Sequence, residues 1–197
     1  MSELKNTIIY LIGIPAVGKY TTARAISRRT GAKLVDNHLI NNPIFSVAHV
    51  DGTSRFPFPA EGWKYVGRIR RVILEFIRDL GHSDDSFIFT NVMGEDEIRG
   101  FRQIERLAKR QRALFVPVWL KCKPAELRRR KDTPQRRRMM KEIELSNIPF
   151  WTKEFRELDV PHPNRLVIDN TYLKPAQTAK LILDHIELCR RKQSGIK

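Results

Sequence analysis

Residues Gly13-Ile14-Pro15-Ala16-Val17-Gly18-Lys19 have the types and the spacing that wrap a phosphate chain. Gly13 and Gly18 let the backbone curl until its N–H groups converge on one anion, and Lys19 brings a full charge to the outer phosphates. A helix starting at that point adds its positive N-terminal end. The residue after the lysine is normally Ser or Thr, whose hydroxyl holds magnesium. Here it is Tyr20, a phenol too bulky for that place in a crowded site, and Thr21 stands one step further along. The pattern predicts a nucleoside triphosphate site whose metal ligand is open between these two residues.

Such a loop must leave a strand and enter a helix, and the flanking residues supply both. An apolar run over 7–12 reads as a buried strand, and a helical pattern follows from 21. Further strands are predicted over 32–35, 86–92, 113–120 and 165–169, with Pro117 hinting that the fourth lies at an edge or carries a bulge. Helices are expected over 63–80, 95–111, 123–131 and 175–190. Residues 42–61, punctuated by proline and glycine and rich in aromatics, read as a long surface connection. Residues 133–151 read as a basic, mobile segment, and 191–197 as a frayed tail. Alternating strands and helices imply an α/β fold with a parallel sheet covered on both faces. Ligands of such sheets bind beyond the carboxyl ends of the strands, which brings 13–19, 36–38, 91–93, Cys122 and 170–171 to one rim.

The chain has 197 residues, enough for one domain with a sizeable core. Two cysteines without metal spacing, together with no apolar run of membrane-spanning length, lead to the expectation of a cytoplasmic protein. The apolar stretch 8–17 is interrupted by Gly13 and Pro15 and has no cleavage site, so it does not read as a signal peptide. A net charge of +15 points to an anionic partner. Its arginines cluster at Arg68, Arg70 and Arg71, at 128–131 and at 136–138. No aromatics interleave with the last cluster, unlike a surface that stacks single-stranded bases, so nucleic acid is the less favoured partner.

With these positions placed, the chain resembles the small P-loop kinases of the shikimate kinase, gluconate kinase and adenylate kinase type over nearly its whole length. Beyond the loop, the likeness is carried by Cys122-Lys123-Pro124-Ala125-Glu126-Leu127-Arg128-Arg129-Arg130 after the fourth strand and by Val167-Ile168-Asp169-Asn170-Thr171 at the end of the fifth. It is closest to shikimate kinase-like ATP-binding proteins that share a Gly-Lys-aliphatic-Thr loop and an Asn-His-Leu after strand two, here Gly18-Lys19-Tyr20-Thr21 and Asn37-His38-Leu39; on that likeness Tyr20 is a habit of the group. The resemblance implies a P-loop NTPase fold: a three-layer sandwich whose five-stranded parallel sheet has the order 2-3-1-4-5, in a single domain with a substrate-binding excursion at 42–80 and a helical lid at 123–151.

The implied activity is transfer of the γ-phosphoryl group of ATP, with Mg2+, to a hydroxyl of a small, anionic molecule. In that reading Gly13 to Thr21, with Arg130 and Asn170, hold the nucleotide. Lys19, Asp36, Arg136 and Arg137 are the catalytic residues. Asp36, His38, Arg68 and Asn91 bind the acceptor, and Thr21 and Asp36 are the metal ligands. A lone glycine near Asn91 argues against shikimate itself. Phe56, Phe58, Trp63 and Tyr65 line an aromatic slot or form the core of the excursion. The rival readings are a nucleotide sensor without transfer activity and a nucleic-acid-associated ATPase or end kinase.

Overall fold

The computed structural model describes residues 3–53, 55, 58–92, 98–149 and 160–194. Phe56, the expected helix start at 95 and the end of the lid at 150–151 lie outside these residues.

Hydrophobic residues without alternation build the centre of the sheet. Strand β1, Thr7–Ile12, is buried along its full length, as a parallel strand covered on both faces must be. Ile9 and Leu11 point into one core layer, with Ile26, Ile182 and Ile186. Ile8, Tyr10 and Ile12 point into the other, with Phe101, Phe89 and Trp119. Chain order then runs α1 Lys19–Thr30, β2 Lys33–Val35, α2 Asn37–Val47, α3 Trp63–Leu80, β3 Phe87–Asn91 and α4 Ile98–Arg110. It continues with β4 Leu114–Lys121, α5 Pro124–Lys131, α6 Pro134–Arg138, β5 Leu166–Asp169 and α7 Pro175–Gln193. The five strands are parallel in the order β2-β3-β1-β4-β5, as expected.

Phe101 is fully buried, with its ring 5.5 Å from that of Phe115 and 6.0 Å from those of Tyr10 and Trp119. Truncating such a side chain costs about 3–5 kcal/mol, and with Ile104, Leu107 and Ala108 buried beside it α4 is held by packing of this face. The cores bring every strand's carboxyl end to the same rim, which is where the loop, Asp36, Asn91 and Asn170 sit.

Three local expectations change. Residues 42–47 are helical, not connecting loop, and Pro43 lies inside α2. Pro43 has no N–H for the Leu39 carbonyl, but burial of Ile40 and Phe45 on the other face outweighs that loss. Residues 133–151 are not wholly irregular: they contain α6 and a short 3-10 turn at Leu145–Asn147. Strand β4 is interior, paired with β1 and β5, yet Pro117 falls one residue ahead of its first β5 partner, the pair Val118–Leu166. At that residue β4 has β1 as its neighbour, and the missing N–H costs no bond to β5.

Gly13 ends β1 with φ 155°, and a Cβ there would lie 2.6 Å from the Leu120 carbonyl oxygen and 2.9 Å from Val17 Cγ1. Backbone cannot yield as a flexible side chain does. Gly13→Ala is expected to destabilise the chain by about 2 kcal/mol, seen as a fall in melting temperature of roughly 4–8 °C.

Candidate active site

The glycine loop closes on itself. Ala16 (φ 67°) and Gly18 (φ 103°) take left-handed conformations, and Gly18 caps the start of α1. The Lys19 ammonium lies back over the loop, donating to the Gly13 carbonyl at 2.6 Å and the Ile14 carbonyl at 2.9 Å. Burial, with Lys141 and Arg136 nearby and only Asp36 opposing them, pulls its pKa down to about 7.

Asp36 follows β2 and is buried at the same rim. Its carboxylate caps α2 by accepting from His38 N–H at 3.3 Å. It also accepts the Thr90 hydroxyl at 2.6 Å and the Lys141 ammonium at 3.2 Å. Thr90 in turn accepts from Asn37 N–H at 3.0 Å, which ties the end of β3 to the start of α2. Lys141 Nζ stands 4.4 Å from the centre of the Tyr20 ring, and Arg24 lies 5.7 Å from the same ring. Aromatic faces attract cations by their quadrupole. Burial lowers the Lys141 pKa against the pull of Asp36.

Arg136, on α6, is the arginine of 136–138 that reaches this cluster. Its Nε donates to the Lys131 carbonyl at 2.8 Å and its Nη2 to the Glu142 carbonyl. Burial brings its pKa down to about 10, with Glu142 and Asp132 opposing. Arg137, expected beside it as a second catalytic cation, is exposed and paired with Asp132, so the structure does not bring it to the site.

His38 Nδ1 meets Asn42 Oδ1 at 3.0 Å, while Asn42 Nδ2 donates to the Met139 carbonyl at 3.3 Å. That second bond sets the amide's orientation, so His38 carries its proton on Nδ1 and keeps Nε2 as an acceptor. Burial first, then Lys141, lower its pKa to about 4. The imidazole is therefore neutral at physiological pH and adds no charge to the cluster.

Arg130 and Asn170 meet on the other flank of the loop. Arg130 Nη2 donates to the carbonyls of Asn170 (3.1 Å) and Thr171 (2.8 Å), and its Nε to Glu126 at 2.7 Å. Asn170 Nδ2 donates to the Val17 carbonyl at 2.8 Å. The end of α5, the end of β5 and the loop are thus bolted together by two side chains.

A tight cleft at the ends of β2 and β3 is lined by Asn37, Arg70, Thr90, Asn91, Tyr10 and Leu74 among others. Arg70 Nη2 donates to Asn37 Oδ1 at 3.0 Å, and Asn91 Nδ2 to the Tyr10 hydroxyl at 3.1 Å. Arg68 is not in this cleft: it is exposed on α3, 5.3 Å from the centre of the Tyr65 ring. Phe58 and Trp63 pack with Phe45 at ring separations of 4.8 and 5.9 Å, as the core of the excursion rather than a slot.

The two residues expected at a metal do not form a site together. Thr21 is exposed and its hydroxyl turns back to the Gly18 carbonyl at 3.0 Å. Asp36 has both oxygens engaged, one of them by an ammonium. Among the described residues no group of three or more His, Cys, Asp or Glu could hold a metal ion. With an ammonium on Asp36 and the Thr21 hydroxyl turned to the loop, these side chains do not present the near-octahedral oxygen set that magnesium prefers.

Comparison with family models and with curated protein sequences returns no match. Solved structures match in fold. A gluconokinase from Sinorhizobium meliloti 1021 is 13% identical, with 98% of this chain and 97% of that one covered, at a TM-score of 0.65. An unliganded sugar kinase from Janibacter sp. HTCC2649 is 15% identical over 92% and 95% of the two chains, at 0.61. Thymidylate kinase from Candida albicans is 15% identical over 94% and 93%, also at 0.61. The chain has the fold of the P-loop small-molecule kinases.

Within this kinase fold, the loop, Asp36, Arg130, Arg136, Asn91 and Asn170 share one rim. The residues missed by sequence reasoning are Lys141, Thr90 and Asn42, and within the cluster Arg68, Arg70 and Arg71 it is Arg70 rather than Arg68 that lines the cleft. Lys141 had no signal, since it follows three arginines in a segment without periodicity. Thr90 had one: a hydroxyl near the end of a central strand, at the rim.

An anion arriving at Lys19 favours its charged form. At pH 8, above the Lys19 pKa of about 7, ATP binding is expected to take up about one proton. Calorimetry in buffers of different ionisation enthalpy measures this, and Lys19→Met should remove most of the uptake. The sign for stability follows from the same shift. In the unfolded chain Lys19 keeps its proton up to 10.5, so its contribution to the stability of the free protein rises between pH 7 and 10.5.

Proposed function

We propose that the chain is an ATP-dependent kinase that transfers the γ-phosphoryl group to a hydroxyl of a small, anionic molecule. The observation that carries this reading is the gathering of Lys141 and Arg136 about Lys19 at the mouth of a glycine loop, with Asp36 bonded to Lys141 beside them. Cations in excess at a buried rim call for a polyanionic ligand, and phosphoryl transfer works chiefly by positioning and by spreading charge off the moving group.

In the proposed step the bond between the γ-phosphorus and the bridging oxygen of ADP breaks as a bond to the acceptor oxygen forms. Lys19 and Arg136 balance the charge on the phosphoryl oxygens, and Asp36 takes the hydroxyl proton. Arg130 and Asn170 seat the nucleoside end. The acceptor lies in the cleft of Asn37, Arg70 and Asn91, where arginine would pair with a carboxylate or phosphate. No step runs through a metal ion, because the donor set does not suit one. The fold itself leaves the acceptor open, since its relatives in shape include both a gluconokinase and a thymidylate kinase.

A second reading, a nucleotide sensor without transfer, draws on the ion pair that already occupies Asp36. Acceptor-dependent turnover decides between the two. In a screen of sugar acids, nucleosides and phosphorylated polyols, the native chain should form ADP only when one acceptor is present. Asp36→Asn should keep ATP binding while lowering kcat by about 100-fold or more. ATP binding with no turnover on any acceptor would select the sensor.

A further inference from the structure

Tyr20 is the one departure from the phosphate-loop pattern, and Lys141 lies directly over its ring. A small hydroxyl after the lysine would hold a dication through a lone pair, whereas an aromatic face holds a monocation through its quadrupole. Asp36, the carboxylate nearest the loop, supplies the other side of the cage at 3.2 Å from Lys141 Nζ. Lys141 is buried, and the segment carrying it is fastened in place. Its N–H donates to the Arg136 carbonyl at 3.0 Å, and Ile143 N–H donates to the Gly52 carbonyl at 3.0 Å. Gly52, at φ 87°, packs so tightly on the Lys141 carbonyl that a Cβ there would overlap it. The ammonium is near enough to the phosphate lysine to depress its protonation.

We propose that the Lys141 ammonium takes the place that a magnesium ion holds beside such a loop, so that this chain binds the polyphosphate of ATP without a divalent cation. Magnesium demands near-octahedral oxygens, and to reach Asp36 it would have to displace Lys141. An ammonium brings three donors to the phosphate oxygens and needs no oxygen cage. This inference rests on the nucleotide reading of the loop.

The test is calorimetric titration of ATP in EDTA and in excess Mg2+. The native chain should bind ATP in EDTA within about threefold of its affinity with Mg2+. Lys141→Met should weaken binding in EDTA by roughly 10- to 100-fold, and Lys141→Arg should restore most of it. Tyr20→Ser, which removes the ring and supplies the usual hydroxyl, should make binding at least about tenfold tighter with Mg2+ than without. Melting curves establish that each variant is folded, and the Tyr20→Ser comparison stands if Lys141→Met is not. Native binding that needs Mg2+, or a folded Lys141→Met with unchanged affinity in EDTA, overturns the proposal while leaving the nucleotide site intact. No binding of ATP in either buffer overturns both.

Discussion

Three cations, Lys19, Lys141 and Arg136, crowd one part of the rim of this sheet, and much of the local structure is organised around Asp36, the carboxylate set beside Lys19 and Lys141. Asp36 starts α2 as its N-cap, receives the Thr90 hydroxyl from β3 and receives Lys141 from the segment after α6. Three elements distant in sequence thus meet at one pair of oxygens. A buried carboxylate is tolerable only when its oxygens are hydrogen-bonded, and here these are. The cations are less fully compensated: burial and mutual repulsion lower the affinity of Lys19 for its proton. The free protein carries that cost, and an anionic ligand relieves it.

The sheet determines where this imbalance falls. Because all five strands are parallel, their carboxyl ends share one rim, and helices cover both faces with separate apolar layers. The close approach of Gly13 to the Leu120 carbonyl sets the loop against the end of β4. Arg130 and Asn170 then tie the same loop to β5 and α5. The loop is therefore held on one side by close backbone packing and on the other by two side chains that reach its Val17 carbonyl.

Most of the fold was legible in the sequence because it depends on local patterns. Long apolar runs such as 7–12 and 113–120 carry a strong strand signal, and the glycine spacing of 13–18 has few other uses. Reading failed where tertiary packing overrode local chemistry. Pro43 argued for a loop, and burial of Ile40 and Phe45 kept the helix. At the site, the residues found were those next to the end of a strand, such as Asp36, Asn91 and Asn170. Lys141 was invisible because its role comes from contacts with residues 121 and 105 positions away, Tyr20 and Asp36. The choice between Arg136 and Arg137, or between Arg68 and Arg70, turned on side-chain direction over one or two residues, which composition does not encode.

The resting position of Lys19 has a consequence for discrimination among anions. With its ammonium on the Gly13 and Ile14 carbonyls, the loop's strongest donor is already satisfied from within. A newcomer must offer better acceptors than two peptide oxygens before displacement becomes worthwhile. Chloride or a lone carboxylate offers too little, whereas a polyphosphate offers several charged oxygens at once. The lysine's contacts with its own loop thus set a threshold that small anions do not reach, and selectivity begins with the phosphates.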